Sequence, residues 1–136
     1  MLPAGVPGFT DNIRVRSVIG RFLEHSRVFY FRKGDVDELY LSSADWMNRN
    51  MLRRVELAWP VNDPVQRQRI VDECLVAYLH DGVDAWDMLP TGNYARVNRV
   101  CRVDGAAHGA QEALMARYST RRASLQAASR DRQGGG

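Results

Sequence analysis

Residues 24–56 read EHSRVFYFRKGDVDELYLSSADWMNRNMLRRVE, and this stretch decides the fold. The run at 28–31 is β-branched and aromatic, which is typical of a strand. A turn sequence follows at 33–35, and the apolar residues at 39–41 return the chain as a partner strand. The stretch therefore predicts a β-hairpin. Because the 28–31 run places large apolar side chains on both of its faces, we expect it to be a central strand.

The flanking sequence predicts further elements around the hairpin. Val15, Val18 and Ile19 recur on one face of a predicted helix at 11–23, which Thr10 would cap. The other expected elements are a strand at 54–59, a helix at 63–81, a short apolar patch at 85–89, an edge strand or irregular arm at 94–103, and a helix at 107–118. This order predicts an α/β sandwich with a mixed β-sheet flanked by helices.

Length and composition predict a soluble globular protein. A chain of 136 residues fits one domain, which we place at 1–118, with a disordered tail at 119–136. The start of the chain has no signal-peptide pattern, and no apolar run is long enough to span a bilayer. We therefore expect a cytoplasmic protein, while a peripheral association with a membrane stays open. Two cysteines in ordinary positions predict neither a disulfide framework nor a zinc site.

The net charge of +3 conceals a cluster of basic residues. Nine of them fall between residues 14 and 54: Arg14, Arg16, Arg21, Arg27, Arg32, Lys33, Arg49, Arg53 and Arg54. Such a cluster favours anionic ligands such as polyphosphate, nucleotide or nucleic acid, although a solvated basic face would look the same.

His25 and the residues around the hairpin suit a phosphate site. Histidine titrates near neutral pH, and Arg27 can place a fixed cation on the same side of the strand as His25. Further phosphate contacts would come from hydroxyl and guanidinium groups, namely those of Ser42, Ser43, Arg49 and Arg53. Asp45 or Glu56 could orient the imidazole through its second nitrogen. The alternative interpretation is a structural histidine, with the two serines ending a strand. Under either interpretation we expect Trp46 and Met47 to pack in the core.

Two quoted stretches carry a specific family resemblance. Residues 20–31 (GRFLEHSRVFYF) and 40–50 (YLSSADWMNRN), with 53–56 and 72–74, resemble the C-terminal catalytic domain of the large bacterial polyphosphate kinase. That family moves the terminal phosphate of ATP onto polyphosphate, reversibly. Its two C-terminal domains resemble the halves of phospholipase D, and the signatures of that superfamily correspond here to residues 25–27 and 43–45.

The resemblance implies roles for individual residues and for cofactors. His25 would contact nucleotide phosphate and act as the general acid. The histidine that becomes phosphorylated, and the arginines that help to place Mg²⁺, belong to a half that this sequence lacks. ATP, ADP and polyphosphate are the implied ligands, and Mg²⁺ the implied cofactor. We expect no nucleic-acid partner.

At its start, this sequence differs from the family pattern. An arginine-glycine segment that precedes the domain is missing, and Leu2-Pro3-Ala4-Gly5 stands where the family reads Leu-Arg-Pro-Gly. We therefore expect a truncation, a split gene or an excised piece, inactive by itself, whose partners are the missing kinase domains, upstream or in trans. Two alternatives stay open: a phospholipase-D-like phosphodiesterase that pairs two copies of His25 as a homodimer, and a non-catalytic polyphosphate-binding remnant.

Overall fold

The structure is a computed structural model that describes residues 4–97, 102–103 and 106–133. Its residues fall into two compact units, one made of Met1–Phe22 with Tyr78–Gly136 and the other of Leu23–Ala77. We call them unit 1 and unit 2. Both combine helices with antiparallel sheets, so the predicted α/β class is confirmed. Every strand pairing among the described residues is antiparallel, in place of the mixed sheet that we predicted.

The predicted hairpin forms the centre of unit 2. Strand β2 (Val28–Lys33) pairs with β3 (Val36–Ser42), so that Val28 lies opposite Leu41. The two-residue loop between them begins at Gly34, whose φ of 60° suits a residue without a Cβ. β3 also pairs with β4 (Ala58–Pro60), which makes β3 the central strand of the described sheet and β2 an edge strand.

The identity of the central strand and the starting residue of the third strand thus differ from the prediction. Leu39 of β3 is 1% exposed, whereas the outer half of β2 is open to solvent. Apolar side chains on both faces of β2 therefore did not mean that both faces are covered. A short helix, α1 (Asn48–Arg53), occupies part of the segment that we expected to be a loop. The third strand starts at Ala58, four residues later than predicted.

The predicted helix after Pro60 forms, with an irregular middle. α2 (Pro64–Ile70) starts with proline in its first turn, and the Asp63 carboxylate accepts a hydrogen bond from the Gln66 backbone N–H at 2.8 Å. A π-helical segment (Val71–Val76) follows, and α3 (Ala77–Leu79) ends the helical run. Cys74 lies in the π-helical segment, where burial and then the neighbouring acidic side chains raise the pKa of its thiol.

The sheet of unit 1 replaces the helix predicted at 11–23. β1 (Arg16–Val18) pairs with β5 (Ala85–Met88), and β5 pairs with β6 (Tyr94–Arg96). The segment around β1 is rich in valine and isoleucine, which favour strands, and the Arg16 side chain forms two bonds of 2.7 and 3.0 Å with Asp87 of β5. These contacts favour a strand at this position more strongly than the helical spacing of the apolar residues, on which we based the prediction, favours a helix.

The rest of unit 1 is a small hairpin and a long helix. β7 (Arg102–Val103) pairs with β8 (Ala106–Ala107), and α4 spans Ala110–Gln133. α4 is longer than the helix predicted at 107–118, since the following residues are mostly good helix formers. The predicted domain boundary at residue 118 stays a prediction. No helix in the described part of the chain is long and apolar enough to cross a membrane.

Candidate phosphate-binding site

The predicted site residues all belong to unit 2, and Arg27 is at the centre of their contacts. Its Nη1 donates to the His25 carbonyl oxygen at 2.7 Å and also meets His25 Nδ1, while its Nη2 lies 2.9 Å from His25 Nε2. The same Nη2 lies 2.8 Å from Oδ1 of Asp45. The segment before β2 thus meets the loop after β3 through one guanidinium group.

The Arg27 side chain is mostly buried, whereas the side chain of its partner Asp45 is about half exposed. The Arg27 side chain is 11% exposed, and its Nε finds no hydrogen-bond partner among the described residues. The Asp45 side chain is 51% exposed. The solvent-exposed side of this ion pair is therefore that of Asp45.

The two serines hold the turn that presents Asp45. The Ser42 N–H donates to the Arg27 carbonyl at 3.0 Å, and its hydroxyl oxygen accepts the Ala44 N–H at 3.1 Å. The Ser43 hydroxyl donates to Glu56 at 2.5 Å and accepts the Leu57 N–H at 3.0 Å. In these contacts the Ser42 hydroxyl acts as an acceptor, while the Ser43 hydroxyl donates a hydrogen bond to Glu56.

The two carboxylates of the predicted site and the arginines of α1 differ in what they contact. Asp45 contacts Arg27, which in turn contacts His25, whereas Glu56 contacts Ser43. Neither carboxylate contacts His25 in the contacts described. Arg49 and Arg53 are both exposed and lie four residues apart on α1, where Arg49 approaches the Met47 sulfur at 3.8 Å. Their predicted binding roles, like the orienting roles of the two carboxylates, stay predictions.

Two cavities flank the aromatic pair Phe29 and Trp46. The first, of about 310 Å³, is lined by Ser26, Arg27, Val28, Phe29, Ala44, Asp45 and Trp46. The second, of about 390 Å³, is lined by Phe29, Ser42, Ala44, Trp46, Asn50, Arg54, Glu56, Leu57 and Ala58. The rings of the pair lie 5.6 Å apart, and Trp46 is 76% exposed although we expected it to be a core residue.

Sequence reasoning gave no role to two residues of the second cavity. Arg54 supplies a cation to its lining. Asn50 is 5% exposed, its side-chain N–H donates to the Asp45 carbonyl at 3.3 Å, and its Oδ1 has no partner among the described residues. The sequence offered no signal for Asn50, because we expected its segment to be a loop, where asparagine is common.

The described residues do not form a metal site. No three His, Cys, Asp or Glu side chains of this part of the chain come close enough together to hold an ion. The two carboxylates of the site are engaged by Arg27 and Ser43. The Mg²⁺ implied by the resemblance therefore finds no donor set among the described residues.

The chain is similar over most of its length to known polyphosphate kinases. The family model for "Polyphosphate kinase C-terminal domain 2" matches residues 1–109. The polyphosphate kinase of Burkholderia cenocepacia is 44% identical over 117 residues, which are 86% of this chain and 16% of that protein. The polyphosphate kinase of Paraburkholderia phytofirmans is 52% identical over 95 residues, 70% of this chain and 14% of that one.

A solved structure agrees with these relatives. The crystal structure of polyphosphate kinase from Porphyromonas gingivalis superposes with a TM-score of 0.70 at 36% identity, covering 86% of this chain and 18% of that one. The chain thus spans about one sixth of the length of the curated relatives that it matches. On the match of the family model over 1–109, the chain belongs to the family of polyphosphate kinase C-terminal domain 2.

Proposed function

We propose that this chain supplies one wall of a polyphosphate kinase site, for the reversible reaction of ATP and polyphosphate(n) to ADP and polyphosphate(n+1). The observation that carries the proposal is the 2.8 Å pair between Arg27 and Asp45. It joins residues 25–27 to residues 43–45, the two segments that correspond to the signatures of phospholipase D. Their meeting also supports a phospholipase-D-like sandwich as the fold of the complete domain.

In this proposal each side chain has a simple task. Arg27 binds phosphate oxygens through two N–H groups, and His25 contacts the nucleotide phosphate and protonates the leaving oxygen of ADP. The Ser42 hydroxyl donates to a phosphate oxygen, as does Ser43 when Glu56 releases it. Arg49, Arg53 and Arg54 add positive charge. Phosphoryl transfer needs mainly positioning and charge stabilisation, which such groups provide.

Unit 2, as described, offers His25 as the acid for this reaction and no second histidine as the nucleophile. Double displacement requires a group that takes the phosphate and an acid that protonates the leaving oxygen, and the described part of unit 2 contains one histidine, His25. The phosphorylated histidine, and the groups that place Mg²⁺, would come from the other domains of the kinase, in the same protein or in trans. We expect the cytoplasm as the location of the complex, and a homo-oligomer is compatible with it.

Complementation tests the proposal. The chain is mixed with a polyphosphate kinase that lacks its last domain, and polyphosphate formation from ATP and Mg²⁺ is measured. We expect no product from the chain alone, product from the mixture, and a loss of roughly a hundredfold or more in the mixture with His25→Ala. His80→Ala, which changes an exposed histidine of unit 1, is the matched control and should keep the activity.

Three outcomes would contradict the proposal. One is turnover by the isolated chain that disappears in His25→Ala. Another is equal activity of the two histidine variants in the mixture. The third is phosphodiester hydrolysis by a dimer of the isolated chain, which would favour the homodimeric phosphodiesterase instead.

A further inference from the structure

The hydrogen-bond donors of Arg27 are almost all directed at groups of the protein itself. A guanidinium group has five N–H donors. Here Nη1 faces the carbonyl oxygen and Nδ1 of His25, Nη2 faces His25 Nε2 and Asp45 Oδ1, and Nε is buried. A phosphate ion cannot bind Arg27 bidentately until one of these contacts is given up.

In these contacts some N–H donors of Arg27 lack a hydrogen-bond acceptor among the described residues. A neutral imidazole accepts a hydrogen bond at only one of its two nitrogens, so only one of the two approaches of Arg27 to the ring can be a hydrogen bond. Nε–H also lacks an acceptor among the described residues. An anion with several oxygens would satisfy Arg27 better than the His25 ring does.

We propose that Asp45 competes with phosphate for Arg27. In the described contacts Asp45 holds the guanidinium group against the exposed His25 ring. Phosphate draws the guanidinium group away, so that phosphate capture and the release of the His25 ring from Arg27 are a single event. Asp45 is thereby a positioning residue that acts on His25 through Arg27. The proposal rests on the proposed function, because it assumes that this site receives phosphate.

The relative strengths of the two interactions make the exchange feasible. Asp45 is half-exposed, and ion pairs with a solvated partner are weak and screened by salt. A polyphosphate brings several charges and can form two parallel charge-assisted hydrogen bonds with a guanidinium group. Phosphate therefore wins the competition at moderate concentration, while Asp45 keeps Arg27 against the His25 ring in its absence.

The test measures the affinity of the full chain for tripolyphosphate by calorimetry. Asp45→Asn should bind roughly fivefold to tenfold more tightly than the wild type, because Arg27 loses its competitor. Asp35→Asn, the same substitution in the hairpin loop, should change the affinity by less than about twofold. In an Arg27→Gln background, Asp45→Asn should give no more gain than this control, as a double-mutant cycle requires.

A second measurement uses the wild-type chain and does not depend on how the variants fold. Nuclear Overhauser contacts between the Arg27 guanidinium and the His25 ring should be present without ligand and disappear at saturating tripolyphosphate. Contacts that persist at saturation overturn the inference, as does a gain that survives in the Arg27→Gln background or is absent in Asp45→Asn. A wild-type chain without measurable, salt-sensitive tripolyphosphate binding would overturn the proposed function as well.

Discussion

A single buried carboxylate, Asp81, joins two segments of unit 1. It is 2% exposed, and its Oδ1 accepts the backbone N–H groups of Val83 and Asp84, each at 2.8 Å. Its Oδ2 accepts the N–H of Ala110 at 2.7 Å, the first residue of α4. Asp81 thus satisfies one of the free donors at the start of α4 and fixes the turn that leads into β5.

We expect Asp81→Asn to lower the free energy of unfolding of unit 1 by about 1–3 kcal/mol. An amide has one accepting oxygen, so its NH₂ group would face the Ala110 N–H and leave that buried donor unpaired. Urea denaturation followed by the fluorescence of Trp86 measures the change. Asp11→Asn is the control, because exposed Asp11 accepts only a 3.4 Å bond from Gly8, and it should cost less than about 0.5 kcal/mol. Equal stabilities of the two variants would contradict this role for Asp81.

At the scale of elements, Arg67 ties α2 to the sheet of unit 2. Its guanidinium group lies 2.8 Å from the Asp37 carboxylate and donates to the backbone carbonyls of Asp37 and Val61 at 2.9 and 3.2 Å. The hydrogen bond from Arg67 holds the pKa of Asp37 below its ordinary value. The position of α2 against β3 therefore includes a contribution that depends on pH.

The sign of this contribution follows from the lowered pKa. Asp37 stabilises the folded state above the pKa of the unfolded chain, about 3.9, and this stabilisation is lost as the pH falls through the lower folded pKa. Asp37→Asn should therefore be less stable than the wild type in urea at pH 7, and the difference should shrink below about pH 4. In an Arg67→Gln background the substitution should have little pH-dependent effect. A difference that is the same at both pH values contradicts the assignment.

The elements also show what could be predicted from the sequence. The hairpin was predictable because its turn and its two apolar runs are adjacent in the chain, and Asp63-Pro64 marked the start of α2. β1 was missed because its partner, β5, is remote in sequence, so the pairing that selects a strand there was invisible. The same local pattern fitted a helix.

The candidate site, like the fold, could be predicted only in part from the sequence. That His25 and Arg27 lie together followed from their spacing, while Asp45 was one of two carboxylates that we expected near the imidazole. That Asp45 contacts Arg27 depends on side-chain geometry across the hairpin, which spacing does not fix. Asn50 and Arg54 were missed for the same reason: they join the site through the fold of α1 and the residues after it.

At the scale of the whole molecule, the two units differ in the size of their cores. Among the described residues, the buried apolar side chains of unit 1 are Ala4, Ala85, Met88, Val97 and Ala110. Those of unit 2 are Leu39 and Ala44. Several large apolar side chains of unit 2 are exposed, Leu52 at 81% and Val55 at 95% among them. Unit 2 therefore gains less from burial when it folds.

We expect unit 2 to unfold at a lower urea concentration than unit 1. Trp46 and Trp59 report on unit 2 and Trp86 on unit 1, so a Trp86→Phe variant and a Trp46→Phe/Trp59→Phe variant separate the two signals. Non-coincident transitions of the two variants are the expected result, because transitions seen by different probes coincide only in two-state unfolding. Far-ultraviolet circular dichroism of both variants is the control for altered stability. Coincident midpoints would show that the chain unfolds as one cooperative unit.

The insertion of unit 2 between the two segments of unit 1 sets an order for folding on the ribosome. All of Leu23–Ala77 leaves the ribosome before Tyr78, so the sheet of unit 2 can form while β1 still waits for β5. Arg16 and Asp87, which meet across β1 and β5, are 71 residues apart in the chain. A folded unit 2 leaves fewer flexible residues in that loop, which lowers the entropy lost when it closes. The part of the chain that carries His25 and Arg27 would thus be finished first, and its completion would help the two ends of the sequence to find each other.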